Sequence, residues 1–232
     1  MVKSTIISTA KANSLYWLGR YEERVYMTLH LFRKCYDRMI DGNPDDYSHF
    51  RNNLDTKGKY SGNGEFVFGM LYDEDNESSV ISAQNKAMDN AILLRDLIMS
   101  ETLSYLEMSV SRLRHCRESQ ETNVTCLQPV IDWSLAFWGS AEQRLRNHTA
   151  LNIMMTGRNI ENLDIQIRFG YSFERVRLAF DSLTRYNDQE TNIFDGNTAA
   201  IIDSLIVKDK FNLNDISYKN ELLTRVNKLT LV

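Results

Sequence analysis

Proline is nearly absent from this chain, and its scarcity is the strongest constraint on the fold. Pro44 and Pro129 are the only prolines among 232 residues. A proline inside a helix costs about 3 kcal/mol, so long proline-free stretches favour long helices. No run of alternating apolar and polar residues is long enough to build a sheet. The sequence therefore predicts an all-α protein, a bundle of about six or seven helices.

The first predicted helix has a regular apolar face. It starts near residues 10–14 and continues to about residue 40, and its apolar face carries Leu15, Leu18, Val25, Leu29, Phe32 and Tyr36. This spacing is typical of a helix that buries one side. The turn sequence DGNP at residues 41–44 then ends the helix.

Later segments show the same spacing. Helices are predicted from Ser78 or Ser79 to Cys116 with a kink, from Pro129 past Arg146, at 151–183 with a bend, and at 198–208 and 215–229. The apolar residues expected to line the core within the first of these segments are Ile81, Met88, Ile92, Leu97, Leu103 and Leu106. We assign one domain to residues 1–232, with an irregular insertion at about 41–64 and a divergent tail at about 186–232.

Charge and hydropathy exclude several classes of function. The net charge of −4 argues against a general nucleic-acid binder, which usually carries a basic excess. No apolar run is long enough to span a bilayer, and the N-terminus lacks a signal-peptide pattern. Cys35, Cys116 and Cys126 lack disulfide or zinc-site spacing, so we expect buried, reduced thiols. We expect a cytoplasmic protein that binds neither nucleic acid nor membrane; a homodimer is compatible with the sequence.

A short charged motif occurs twice within predicted helices. GRYEER spans residues 19–24 and GRNIEN spans residues 157–162, and both contain Gly-Arg-x-x-Glu. Gly19 and Gly157 each cost about 1 kcal/mol in a helix interior relative to alanine, which suggests that packing against a closely approaching backbone, or function, compensates. The repeated motif is consistent with an internal duplication around a pseudo-twofold axis.

The interpretation that we favour for these charges is a buried network of ion pairs. Arg20, Glu23 and Arg24 share one helix face, and Arg158 and Glu161 repeat the Arg-Glu pair. If the two motif helices pack at their glycines, Arg20 faces Glu161 and Arg158 faces Glu23. Such a network mainly fixes orientation, because burying charges costs about as much as their attraction returns.

The alternative is a pocket for a peptide-like or anionic ligand, in which arginines grip a carboxylate or phosphate and glutamates orient them. The candidate residues are Arg20, Glu23, Arg24, Arg95, Glu101, Arg158 and Glu161. A remoter alternative is a carboxylate-bound metal oxidase. The sequence lacks the Glu-x-x-His of helical di-iron sites, and its four histidines lack ligand-like spacing. We expect no cofactor and no metal, and the sequence leaves open whether the protein is an enzyme.

Three blocks of sequence resemble the alpha-E family, α-helical proteins named for a Glu-Arg motif. The first is LYWLGRYEER at residues 15–24, where Glu23-Arg24 would be the named dipeptide. The second is the acidic turn DEDNESSV at 73–80, followed by Asn90, Arg95-Asp96 and Ser100-Glu101. The third is Phe137 to Gly139, followed by Gly157-Arg158, Glu161, Asp164 and Arg168. Together the blocks cover roughly residues 1–180.

The resemblance implies partners rather than a reaction. Family members are commonly encoded with, or fused to, circularly permuted ATP-grasp ligases, beside transglutaminase-like cysteine peptidases. That implies an accessory role in a peptide- or amide-forming pathway, or an enzyme of that pathway that uses the Arg/Glu pocket. This chain departs from the family pattern at three positions: Glu22 stands where leucine is usual, Glu77 where proline is usual, and Asn162 where the second motif would have arginine.

Overall fold

A computed structural model describes residues 7–40, 47–54, 59–187 and 193–231. Within those ranges the regular structure is helical, apart from one isolated bridge between Phe194 and Thr230. The helices are α1 Thr9–Ile40, α2 Tyr47–Asn53, α3 Asn63–Tyr72, α4 Val80–Leu93, α5 Arg95–Ile98, α6 Ser100–Glu118, α7 Gln128–Arg144, α8 His148–Arg168, α9 Phe173–Thr184, α10 Gly196–Leu205 and α11 Ile216–Asn227, with a 3₁₀ turn at Val124–Leu127. The all-α prediction is therefore confirmed for the described residues.

The described residues form more helices than the six or seven that the sequence predicts. The segment expected at 79–116 is divided at Leu94 and Met99, and the segment expected at 151–183 is divided around Gly170. Gly170 has a φ of +67°, a conformation that ends α8 and that glycine adopts easily. Two shorter helices, α2 and α3, precede α4. The predicted helix starts are correct at Ser79, whose hydroxyl caps α4, and at Pro129, in the first turn of α7.

The contacts of the chain divide into two compact units. We call Met1–Arg20 with Asn147–Val232 the discontinuous unit, and Tyr21–Arg146 the central unit. A compact unit need not fold on its own, so the single domain predicted over residues 1–232 stays a prediction.

Helix α8 is the core element of the discontinuous unit. It packs against α9 and α11, and α11 also packs against α10. Fourteen of its 21 residues are buried, because contacts on several sides remove more than one face from water. The first part of α1 contributes Leu15 and Leu18, both fully buried. The apolar faces of α9 and α11 add Val176, Leu183, Leu222 and Val226, all with no exposed surface.

The central unit is built around α6, which packs against α4 and α7. Three packed phenylalanine rings add to the core of this unit. The ring centres of Phe32 and Phe50 are 4.5 Å apart, and those of Phe50 and Phe66 are 5.9 Å apart. Ile81 and Leu106 are fully buried, as predicted. Ile92 was expected in the core, but 48% of its surface is exposed because it lies on an open groove between α4 and α6.

Candidate functional site

Two glycines allow the start of α1 and the middle of α8 to approach closely. A Cβ atom on Gly19 would lie 2.1 Å from the carbonyl oxygen of Met154, and one on Gly157 would lie 2.0 Å from that of Tyr16. Both distances are shorter than any that real Cβ atoms show, and the obstacle is backbone rather than a flexible side chain. The contacts are reciprocal, because each glycine meets the carbonyl group three residues before the other glycine.

A buried ion pair lies beside this helix crossing. Arg20 Nε donates a hydrogen bond to Glu161 Oε2 at 2.8 Å, and the two residues are 5% and 2% exposed. Charged side chains are almost never this buried unless they are paired. The glycines bring the two helices close enough for these side chains to meet. Arg20 of the first motif copy therefore pairs with Glu161 of the second.

The tail of the chain completes the cluster. Arg20 Nη1 donates to Asn227 Oδ1 at 3.0 Å, and Asn227 Nδ2 donates to Asp164 Oδ1 at 2.7 Å. The second oxygen of Asp164 accepts a hydrogen bond from Arg168 Nε at 2.5 Å. Asn227, on α11, therefore bridges the Arg20 guanidinium and the Asp164 carboxylate, and links the α1–α8 crossing to the last helix.

Aromatic rings surround the Arg20 guanidinium. Its centre lies 5.4 Å from the ring centre of Trp17 and 6.0 Å from that of Tyr16, within cation–π range. Burial is the largest single influence and lowers the pKa of Arg20, but Glu161, Tyr16 and Asp164 together outweigh burial, and the net change is upward. Arg20 therefore stays charged at any physiological pH and acts as a permanent partner for Glu161 rather than as a proton donor.

Comparison with known families identifies the family of this chain. A family model described as a predicted alpha-helical domain with a conserved ER motif, Alpha-E, matches residues 9–192. The chain belongs to the Alpha-E family. The comparisons with curated proteins and with solved structures found no match. Helices α10 and α11 lie beyond the matched residues, so Asn227 reaches the Arg20 cluster from outside the family match.

The Glu-Arg dipeptide that the resemblance assigns to the Alpha-E motif is Glu23-Arg24. Glu23 is 2% exposed. Arg24 is half-buried, and its guanidinium centre lies 5.8 Å from the ring centre of Tyr21. Arg158 is also half-buried. The predicted contact between Arg158 and Glu23 stays a prediction.

Two of the predicted site residues lie on the surface of the central unit. Arg95 and Glu101 are exposed, and the nearest charged partner recorded for Glu101 is Arg144, with 3.6 Å between Nη1 and Oε1. An exposed pair at this distance contributes little to stability. Arg20 and Glu161, in contrast, are buried. The groove between α4 and α6 is lined by none of the seven candidate residues.

A buried carboxyl that the sequence analysis did not select lies one residue before Glu23. Glu22 has no exposed surface; it accepts hydrogen bonds from Ser134 Oγ at 2.7 Å and from Gln84 Nε2 at 3.2 Å. Burial raises the pKa of Glu22 to about 7, although these two hydrogen bonds lower it. The signal was present in the sequence, because Glu22 falls within the apolar stripe of α1 and replaces the usual leucine.

The acidic turn of the second resemblance block has a structural role. Asn76 is 8% exposed, and its Nδ2 donates to the hydroxyl of Tyr60 at 2.8 Å. Ser79 Oγ accepts from the amide of Ser82 at 3.1 Å, which caps the free end of α4. The predicted helix start at Ser78 or Ser79 is confirmed, with Ser79 as the capping residue.

The thiols and carboxylates do not gather into a metal site in the described residues. No group of three or more His, Cys, Asp or Glu side chains there is arranged to hold a metal ion. Cys35 and Cys116 are buried free thiols, as expected, whereas Cys126 is only partly buried. None of the helices in the described ranges combines the length and apolar character that crossing a bilayer requires.

Proposed function

We propose that this Alpha-E chain is a non-catalytic helical interaction protein in a peptide- or amide-forming pathway. Its partners in this proposal are a circularly permuted ATP-grasp ligase and a transglutaminase-like peptidase, the two classes that the family resemblance implies. The observation that carries the proposal is the burial of the Arg20–Glu161 ion pair. A group that binds or transforms a substrate must reach it, and these two side chains are withdrawn from solvent.

The hydrogen bonds of Arg20 support a structural role for the cluster. Its Nε is occupied by Glu161, and its Nη1 by Asn227, with the hydroxyl of Tyr16 a further 3.5 Å contact. An arginine that grips a ligand carboxylate would present both edges of its guanidinium to the ligand. Here, protein groups accept hydrogen bonds from Nε and Nη1, which favours a cluster that joins α1, α8 and α11 over one that holds a substrate.

We also infer that the two Gly-Arg-x-x-Glu copies derive from an internal duplication. The support is the reciprocity of the glycine contacts: Gly19 meets the carbonyl group of Met154, and Gly157 meets that of Tyr16. A pseudo-twofold axis through the crossing would produce this pattern, because equivalent positions then exchange contacts. The copies differ at three positions, one of which is Asn162 in place of the second arginine.

The proposal is tested by affinity purification of the full chain from its native host, followed by mass spectrometry. The expected result is enrichment of an ATP-grasp ligase and a transglutaminase-like peptidase over a tagged control protein. If the chain is instead an enzyme of this pathway, the purified protein should turn over a substrate by itself. Turnover of a peptide-like substrate by the purified chain, lost in a folded Arg20→Lys variant, would overturn the non-catalytic assignment.

A further inference from the structure

An open groove lies between α4 and α6 in the central unit. Its volume is about 820 Å³, and its walls are residues 85–92 of α4 and 107–118 of α6. Met88 and Ile92 supply apolar surface from α4, and Val110 supplies it from α6. Ile92 is 48% exposed, so it offers uncovered aliphatic surface to a partner.

The spacing of the lining residues matches a helix-shaped occupant. On each wall they recur every three or four residues, so each wall is a single helix face. The stretch 107–118 of α6 is roughly 16 Å long, or about three helical turns. Three of the ten lining residues are apolar and the others are polar or charged, so the groove suits a helix that presents both kinds of side chain.

The charges along the groove favour a basic occupant. Asp89, Glu107 and Glu118 carry three negative charges and Arg114 one positive charge, so the lining has a net charge of −2 with His115 neutral. In the described structure, none of these five side chains makes a hydrogen bond or ion pair with another described residue. The carboxylates are therefore available to a partner. Complementary charge on that partner would select it and speed its association.

We propose that this groove binds a basic amphipathic α-helix of a partner protein. Leucine-like residues at helical spacing on that helix cover Met88, Ile92 and Val110, while its lysines or arginines face Asp89 and Glu107. A second copy of this chain is the less suitable occupant, since the whole chain carries a net charge of −4 and would meet a groove of the same sign. The inference depends on the proposed function, because it identifies the surface and the partner chemistry of an interaction protein.

The test uses a fluorescent model peptide of about four helical turns, with leucines on one face and lysines on the other. The comparison peptide has glutamates in place of the lysines, and fluorescence anisotropy measures both affinities. The wild-type chain should bind the lysine peptide at least about tenfold more tightly. Equal affinity for the two peptides, or no binding of the lysine peptide, would overturn the proposal.

Groove variants locate the binding. Ile92→Glu should weaken binding of the lysine peptide by about tenfold or more, because it buries a charge at the apolar seam. Leu135→Glu on α7 is the matched control, since Leu135 is 49% exposed and Ile92 48%. Binding that is weakened equally by both substitutions, or by neither, contradicts the proposed site.

Charge reversal separates this site from general attraction to an acidic protein. The double variant Asp89→Lys with Glu107→Lys should prefer the glutamate peptide, whereas Asp75→Lys, an exposed acidic residue outside the groove, should leave the preference unchanged. These three residues are exposed, so folded variants are expected and are checked by circular dichroism. An unchanged preference in the double variant would show that the groove is not the site.

Three further outcomes separate a failure of the groove proposal from a failure of the proposed function. If sedimentation velocity shows a dimer that Ile92→Glu dissociates, a second copy occupies the groove and the basic-helix proposal is wrong. If the affinity purification recovers the ligase equally with wild type and with Ile92→Glu, the groove proposal fails while the proposed function stands. If wild type recovers neither partner class while peptide selectivity persists, the proposed function fails instead.

Discussion

Arg20 Nε lies 2.8 Å from Glu161 Oε2, and the two side chains are 6% and 3% exposed. The two residues are 141 positions apart in the sequence. Burying two charges costs several kcal/mol per ion, and the attraction between them offsets that cost only while both are present. The pair therefore makes the α1–α8 crossing sensitive to the loss of either partner, without being a large net source of stability.

Removing one partner should be more harmful than removing both. Arg20→Met is expected to lower the free energy of unfolding by about 3–5 kcal/mol, because the Glu161 carboxylate is left buried and unpaired. The double variant Arg20→Met with Glu161→Leu should recover much of that loss. Urea denaturation of wild type, of Arg20→Met, of Glu161→Leu and of the double variant measures the coupling.

An exposed ion pair in the same unit provides the control for this cycle. Arg225 and Glu221 are 40% and 50% exposed, with 3.6 Å between Nη2 and Oε1. Arg225→Met should change the stability by less than about 1 kcal/mol. If Arg20→Met costs no more than Arg225→Met, the buried pair is not what holds the crossing.

The helix crossing itself can be tested at Gly157. Gly157→Ala should lower the stability by about 3 kcal/mol or more, since the new methyl group would lie 2.0 Å from the carbonyl oxygen of Tyr16. Gly139→Ala is the matched control: this glycine is within α7, and an added Cβ would meet nothing within 4 Å. That substitution should raise stability by up to about 1 kcal/mol. Thermal unfolding distinguishes the two signs, and a stable Gly157→Ala protein would remove the close-packing explanation.

Glu22 should make the stability depend on pH. Its pKa rises from 4.5 to about 7 on folding, so the folded state holds the proton more tightly than the unfolded state. The stabilising contribution is complete below pH 4.5 and is lost as the pH rises through about 7. At pH 8 and above, the ionised carboxylate makes the folded protein less stable by about 3 kcal/mol than it is with the carboxyl protonated below pH 4.5. This value corresponds to the change in pKa.

Glu22→Gln should remove this dependence. The variant is expected to be more stable than wild type at about pH 8 and close to it at about pH 4, by urea denaturation across that range. Glutamine can keep the bond from Ser134, and rotation of the Gln84 amide would offer Gln84 Oε1, which is buried without a partner. A constant difference between the two proteins at all pH values would contradict the raised pKa.

Met99 lies in a conformation that suits glycine. It separates α5 from α6 with a φ of 64° and a ψ of 155°, and it is 45% exposed. Such backbone strain costs about 1–3 kcal/mol in residues that have a Cβ. Met99→Gly should therefore raise the stability by about 1 kcal/mol after the entropic cost of glycine. Met108→Gly, inside α6 and 37% exposed, should instead lower it by about 1 kcal/mol. Stability changes of the same sign in both variants would exclude this explanation.

Local sequence predicted several of the helix ends, although not the number of helices. Sparse proline and regular apolar spacing predicted α1 to within about one residue at its C-terminal end, and Ser79 and Pro129 predicted the starts of α4 and α7. These signals act within one or two helical turns, where capping and backbone sterics decide the conformation. The repeated Gly-Arg-x-x-Glu motif further indicated that Arg20 of α1 and Glu161 of α8 would meet. Local sequence also led to the Alpha-E family.

Tertiary structure decided which of these side chains are buried and with what partners. Asn227 joins the Arg20 cluster through a contact 207 positions away, and Glu22 reaches Ser134 across 112 positions. Ile92 fits the apolar pattern of α4 and yet lies on an open groove, because a helical repeat shows that a face is apolar but not what covers it. Hydrogen bonding and desolvation depend on neighbours brought from distant parts of the chain, and only the packed structure specifies those neighbours.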